Sequence, residues 1–211
     1  VFDGSNNFMK SGYEMRKVIN ELNKINFNSS EDKHIFGDMY ESILVELRDA
    51  GNKGEYYTPR AVTQLMTQMI DPKLGEKVLD PAAGTGGFLT AALDHIRDNY
   101  VHTVNDEHIV QSSVEGWELK PVAFVLGLTN LILNGIDVPN YVYNDSLSKD
   151  YNSISSKDQV DVILANPPFG ASIADGVETN FPASFRCKES ADLFVILMLK
   201  LLKPYGRCAI V

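Results

Sequence analysis

The chain has 211 residues, 44% of them hydrophobic, and carries a formal net charge of −9 from 28 acidic against 19 basic side chains. That is enough apolar material for one sizeable α/β core with a small helical appendage. The acidic balance excludes a protein that grips a polyanion through bulk charge. If nucleic acid is the substrate, either a local basic face or, as we favour, another subunit supplies the phosphate contacts.

No apolar run reaches the roughly 18 residues a membrane span needs, and nothing resembles a secretion signal. Cys187 and Cys208 are unclustered, and His34, His95, His102 and His108 are scattered. A reduced, cytoplasmic protein without a membrane partner or structural metal is expected.

Residues 1–53 are expected to be a helical segment, the tail of a helical domain packed on the catalytic one. One helix is expected over Tyr13–Lys24, with Met15, Val18, Ile19 and Leu22 on one face. A second is expected over Glu31–Ala50, with Ser30 as its cap and Gly51-Asn52-Lys53-Gly54 as its end. The catalytic domain is expected over residues 54–211. It opens on Gly54-Glu55-Tyr56-Tyr57-Thr58-Pro59-Arg60, in which Thr58 reads as an N-cap and Pro59 as the first residue of a helix over Ala61–Ile70. Two tyrosines and a glutamate directly before a helix start also suit a lip over a ligand.

The pivot is Val78-Leu79-Asp80-Pro81-Ala82-Ala83-Gly84-Thr85-Gly86-Gly87. A short apolar strand ends in a carboxylate, turns through small residues and glycines, and enters a helix over Phe88–Tyr100. Glycines permit positive φ and close approach of a ligand to the main chain, so the pattern is that of an adenosine-cofactor corner of an open α/β sheet. Many nucleotide folds share that pattern, and the later Asn-Pro-Pro-Phe motif makes it specific. The stretch Val101–Ile109 reads as an irregular excursion, and the second strand as Val110–Trp117 ending at Glu118. Pro121 then opens a helix through Leu133. A carboxylate at that strand end can accept both ribose hydroxyls. Glu118 is favoured on context, although Asp106 and Glu107 lie nearer the roughly 20-residue spacing of dinucleotide folds.

A third strand, Tyr141-Val142-Tyr143, runs into Asn144-Asp145. Asp145 suits an adenine amino group, or else simply shapes a turn. A polar loop over Ser148–Asp158 leads to a fourth strand, Val160–Ala165, that delivers Asn166-Pro167-Pro168-Phe169. A loop over Gly170–Ser190, a helix over Asp192–Leu202, a break at Lys203-Pro204-Tyr205-Gly206 and a fifth strand over Arg207–Val211 complete the pattern. The fold class is α/β, a doubly wound, mostly parallel sheet. The C-terminal part of that fold is expected to lie beyond residue 211.

An exocyclic base nitrogen is a poor nucleophile because its lone pair is delocalised into the ring. The Asn166 side-chain oxygen and the Pro167 carbonyl, the latter held by two consecutive prolines, would draw on its hydrogens and localise that pair. Phe169 suits stacking on a base taken out of a duplex. With an electrophile that is already cationic, in-line positioning matters more than a strong base.

Together these stretches resemble the amino-group DNA methyltransferases that make N6-methyladenine, above all the modification subunit of type I restriction-modification systems. The matching segments are Gly54–Arg60, Asp80–Phe88, Glu118, Asn144-Asp145 and Asn166–Phe169, with Phe36-Gly37-Asp38-Met39-Tyr40-Glu41 ahead of them. The resemblance implies S-adenosyl-L-methionine as cofactor and a flipped adenine in double-stranded DNA as target. Glu55, Tyr56, Tyr57, Thr58, Pro59 and Arg60 would border the methionine end, with Asp80, Ala82, Gly84, Thr85, Gly86 and Gly87 along the cofactor. Glu118 would hold the ribose, Asp145 the adenine ring, and Asn166, Pro167, Pro168 and Phe169 the target base. It further implies a specificity subunit, a second modification subunit and a restriction subunit as partners. The competing readings are a protein glutamine-N5 methyltransferase, disfavoured by Phe169 and the Gly54–Arg60 segment, and a cofactor-binding scaffold without turnover.

Overall fold

A computed structural model describes residues 10–24, 40, 42, 58–170 and 173–211. The first helix, α1 (Gly12–Leu22), begins where the Ser11 hydroxyl accepts from the Glu14 N–H at 3.4 Å, and it stops two residues short of the expected Lys24. The helix expected over Glu31–Ala50, the boundary at 53/54 and the residues Glu55, Tyr56 and Tyr57 lie outside the described residues, Tyr40 and Ser42 excepted. Tyr40 is buried and donates its hydroxyl to the Leu126 carbonyl.

Five strands form the sheet: β1 (Val78–Asp80), β2 (Val114–Glu118), β3 (Asn140–Tyr143), β4 (Val160–Ala165) and β5 (Leu202–Ile210). Their order is β3-β2-β1-β4-β5 and every pairing is parallel. The winding therefore reverses between β1 and β4, and ligands of open α/β sheets bind at such a reversal, outside the carboxyl ends of the strands. Among the described residues α2 (Arg60–Ile70) precedes the sheet, and α3 (Gly87–Tyr100), α4 (Val104–Val110), α5 (Pro121–Leu133) and α6 (Ser190–Leu201) lie between its strands.

The alternation of side chains along each strand divides the core in two. Val78, Val114, Val162 and Leu164 meet Leu89, Leu93 and Ile96 of α3 and Leu131 of α5 on one face. Leu79, Trp117, Ile163 and Ala165 meet Leu193, Leu197, Met198 and Leu201 of α6 on the other. The central strands are thus apolar on both sides, as a parallel sheet covered by helices requires.

Three expectations are corrected. Val101–Ile109 is not irregular: it contains α4, which starts at a capping box in which the Thr103 hydroxyl accepts from the Asp106 N–H and Asp106 accepts from the Thr103 N–H. This seven-residue helix buries only Val110 and so has no apolar stripe to read. β2 accordingly starts at Val114, not Val110. The expected break at Lys203–Gly206 belongs to β5, which begins at Leu202, where α6 ends. The strand advances from Leu202 to Arg207 while β4 advances from Val160 to Val162, and Tyr205 takes a left-handed φ of 66° within that bulge.

Beyond the bulge, Arg207 returns to α2. Its Nε donates to the Ile70 carbonyl at 2.9 Å and its Nη2 to the Asp71 carbonyl at 3.0 Å, while Glu76 pairs with Nη2 at 2.6 Å. A guanidinium on the last carbonyls of a helix satisfies acceptors that lack an intrahelical donor. It fastens the C-terminal end of α2 to the sheet and so fixes where its N-terminal end, with Thr58, can sit.

Candidate active site

The turn after β1 has a left-handed residue at Gly84 (φ 58°) and another at Gly86 (φ 79°), the N-cap of α3. A side chain at either would strain the backbone. The Gly84 N–H donates to Glu118 Oε2 at 2.8 Å, and Glu118 Oε1 accepts from the Lys120 N–H at 2.7 Å. The Ala83 N–H reaches the Trp117 carbonyl at 3.0 Å. The glycine loop is therefore laid against the end of β2, with Glu118 at the junction. Each carboxylate oxygen has two lone-pair sites, so both oxygens of Glu118 retain acceptor capacity beyond these backbone bonds.

The two alternative ribose acids are occupied elsewhere. Asp106 Oδ2 accepts from the His102 and Thr103 N–H groups at 2.9 Å each. Glu107 pairs with Arg97 at 2.7 Å, near the C-terminal end of α3. Both sit on a helix that precedes β2, whereas Glu118 closes the strand at its carboxyl end beside the glycines.

Asp80 is buried at 1% exposure and accepts from the Ala82 N–H at 3.0 Å. Burial, reinforced by the neighbouring Glu118 carboxylate, pushes its pKa up to about 8 against the one backbone bond that favours ionisation. Asp145 lies in the loop after β3 and caps a short 3-10 turn, its Oδ1 accepting from the Leu147 N–H at 3.0 Å. The turn-forming geometry is thus present. The next residue ties that loop to the glycine corner: the Ser146 hydroxyl donates to the Pro81 carbonyl at 2.5 Å.

The second corner leaves β4, the neighbour of β1, at its carboxyl end. Pro167 is buried, Pro168 is exposed, and Phe169 has 66% of its surface open. The Ser190 hydroxyl donates to the Pro168 carbonyl at 2.9 Å, and Glu189 accepts from the Gly170 N–H at 3.2 Å, so the start of α6 holds the turn. The Asn166 amide nitrogen donates to the Thr58 hydroxyl at 3.2 Å. Thr58 is not the side-chain cap of α2 as expected: Pro59 occupies the N-cap position, without a side-chain cap bond, and the Thr58 hydroxyl serves Asn166 instead. A Cβ added at Gly87 would lie 4.0 Å from the Thr58 carbonyl. Thr58 is thus bonded to the second corner and lies near the first residue of α3, so the two corners are neighbours. Arg60 opens α2 directly beside it.

Sequence reasoning missed Tyr141 and Asn130, which hold the glycine loop from beneath: the Tyr141 hydroxyl donates to the Gly84 carbonyl and Asn130 Nδ2 to the Thr85 carbonyl, each at 2.9 Å. It also missed Ser146 and Ser190. None has a local signal, since each looks like an ordinary strand, helix or loop residue until the chain folds back on it.

A parallel five-strand sheet with a glycine corner and an Asn-Pro-Pro-Phe corner at adjoining strand ends defines the S-adenosylmethionine-dependent methyltransferase fold. A protein from Listeria monocytogenes described as a putative class I S-adenosylmethionine-dependent methyltransferase shares the fold alone, with a TM-score of 0.71 at 19% identity. The chain belongs to the N-6 DNA Methylase family, whose sequence profile matches residues 31–211. It is 50% identical over its whole length to the methylase subunit of the type I restriction enzyme EcoEI from Escherichia coli, of which it covers 43%. A corresponding subunit from Methanocaldococcus jannaschii is 31% identical over 74% of the chain and is covered to 26%. Among solved structures, the modification subunit of a putative type I restriction enzyme from Vibrio vulnificus superposes with a TM-score of 0.86 at 42% identity, 99% of this chain covering 45% of that one. The chain thus spans less than half the length of these relatives, and the resemblance read from its motifs is borne out.

Proposed function

We propose that this chain is the catalytic part of a modification subunit that transfers a methyl group from S-adenosylmethionine to the N6 amino group of adenine in double-stranded DNA. The observation that carries the reading is the nearness of the two corners: Asn166, just past the end of β4, is hydrogen-bonded to Thr58, whose carbonyl would lie 4.0 Å from a Cβ added at Gly87, the first residue of the glycine-opened helix α3.

The residues present suit the cofactor. Asp80, whose proton is retained chiefly by burial, can give it up to pair as a carboxylate with an ammonium group. Glu118, fixed by two backbone N–H groups, keeps acceptor capacity for a pair of hydroxyls. Asp145 lies in a loop joined to the same corner through Ser146 and suits an adenine amino group. S-adenosylmethionine supplies a sulfonium methyl already activated by positive charge.

The remaining work is positioning. With its nitrogen engaged by Thr58, the Asn166 amide has its oxygen left to accept from a base amino group. The Pro167 carbonyl is the second acceptor, set by two prolines of fixed φ, and Phe169 offers an exposed aromatic face on which a flipped adenine stacks. Two acceptors on one amino group localise its lone pair for in-line attack, and no general base of unusual strength is required.

With a net charge of −9 the chain itself is poorly suited to gripping DNA phosphates. A specificity subunit then does most of the DNA reading, joined by a second modification subunit and, for cleavage, a restriction subunit, in a cytoplasmic complex. The similarity to type I methylase subunits supports this assembly. The test is methyl transfer from labelled cofactor to DNA by the full-length subunit reconstituted with its specificity subunit. Label on N6 of adenine is expected. Label on protein glutamine, or cofactor binding without transfer, overturns the reading.

A further inference from the structure

The glycine loop is supported from outside the motifs that carry it. In register, Tyr141 of β3 pairs with Gly116 of β2, and its side chain crosses β2 on the α3/α5 face to reach the loop after β1. That passage exists because two positions lack side chains. A Cβ at Gly116 would stand 2.5 Å from the Tyr141 ring, and one at Gly127 of α5 would stand 2.3 Å from its hydroxyl. Both distances are below any real Cβ contact. The ring also packs against Phe124 of α5, with centroids 5.7 Å apart.

At the end of this passage the Tyr141 hydroxyl donates to the Gly84 carbonyl at 2.9 Å. One helical turn from Gly127, Asn130 donates its amide to the next carbonyl in the chain, that of Thr85, at 2.9 Å. On its other side, the Gly84 N–H is held by Glu118. In a planar trans peptide, C=O and the following N–H point in opposite directions. Drawing the Gly84 carbonyl down toward Tyr141 therefore turns the Thr85 N–H away from that face. Burial, with the Asp80 and Glu118 carboxylates nearby, raises the pKa of the Tyr141 hydroxyl well above its ordinary value, so it stays a donor at every working pH.

We propose that Tyr141, threaded between Gly116 and Gly127 and seconded by Asn130, is a positioning residue that holds the glycine loop in the conformation that receives the adenosyl cofactor. It acts through main-chain Gly84 and Thr85, not by touching the cofactor. The proposal rests on the methyl-donor reading above. It adds a specific cause for the loop's shape: a side chain from the edge strand, with two glycines that keep its path open.

The test uses the full-length subunit with its specificity partner. Tyr141→Phe keeps the ring in its slot and removes only the hydroxyl. S-adenosylmethionine binding by calorimetry is expected to weaken roughly five- to tenfold, the scale of one lost hydrogen bond to a buried carbonyl. The KM for the cofactor should rise in parallel, with kcat at saturation and the KM for DNA within about twofold of wild type. Tyr141→Leu, which also empties the slot, should weaken cofactor binding further. Unchanged cofactor affinity in Tyr141→Phe overturns the proposal. So does a general loss, in which the unfolding midpoint, kcat and the KM for DNA all deteriorate together, because that would make Tyr141 a core residue only. Failure of the wild-type protein to bind S-adenosylmethionine would sink the methyl-donor reading itself, and this role with it.

Discussion

The amide nitrogen of Asn166 and the hydroxyl of Thr58 lie 3.2 Å apart although 108 positions separate them in the chain. This bond orients a side chain whose two ends differ chemically: nitrogen toward Thr58, oxygen left to accept. Which end faces a substrate amino group decides whether Asn166 attracts or repels it.

Asn166→Ala should abolish most turnover while leaving cofactor affinity within about twofold. Thr58→Val keeps the shape but removes the hydroxyl, so the amide can rotate, and kcat should fall by about 10-fold, one hydrogen bond's worth of positioning. Methyl-transfer rates at saturating cofactor measure both. A Thr58→Val enzyme with wild-type kcat would show that the bond does not orient the amide during catalysis.

For Glu118, truncation to Ala should weaken cofactor binding by about 1–3 kcal/mol, because it removes a charged acceptor and releases the Gly84 N–H. Asp106→Ala serves as the control: it loses its half of the α4 capping box, lowers stability slightly, and should leave the cofactor constant unchanged. Calorimetry on the two variants distinguishes the ribose acids. Weaker binding by Asp106→Ala alone would reverse the assignment.

Asp80 predicts a proton signature. With its pKa near 8, the carboxyl is mostly protonated in the free protein at pH 7. An ammonium group beside it favours the ionised form, so cofactor binding at pH 7 should release a proton. Titration calorimetry in buffers of different ionisation enthalpy reads this directly, and Asp80→Asn should remove the buffer dependence. The same group acts on stability. Between the ordinary Asp range, near 3.8, and about 8 the folded state keeps a proton that the unfolded chain has lost, so stability falls as pH rises through that window. Asp80→Asn should flatten the slope, as seen in denaturant unfolding at pH 5 and pH 8.

Phe169 is 66% exposed and so contributes little to the core. Phe169→Ala should leave the unfolding midpoint nearly unchanged and weaken target-DNA binding by about 1–3 kcal/mol, the worth of one base–aromatic stack. Phe169→Trp should retain most affinity. A fluorescent 2-aminopurine at the target position would report the flipped base. Equal signals from wild type and Phe169→Ala would remove the stacking role.

The elements that read clearly from the chain were those whose cause is local. β1, β4 and the helix opened by Pro121 follow from apolar runs bounded by glycine, proline and Asn, and both corners follow from the backbone freedom of Gly84 and Gly86 and the stiffness of Pro167-Pro168. Helix α4 escaped because seven residues with one buried side chain carry no period, although its Thr103-to-Asp106 capping box was present in the sequence. β5 escaped because its bulge is made possible by pairing with β4, which a run of Lys203-Pro204-Tyr205-Gly206 does not announce.

The residue types of the site, a carboxylate before glycines and an Asn-Pro-Pro-Phe turn after a strand, were determined by the sequence alone, because main-chain conformation at glycine and proline is a property of the residue itself. Their assembly was decided only in three dimensions. Strand order placed β4 beside β1, seated Asp106 and Glu107 on α4 with backbone and Arg97 partners, and turned Thr58 from a helix cap into the partner of Asn166. Hydrogen bonds between residues far apart in the chain depend on which surfaces pack together, and no local pattern contains that information.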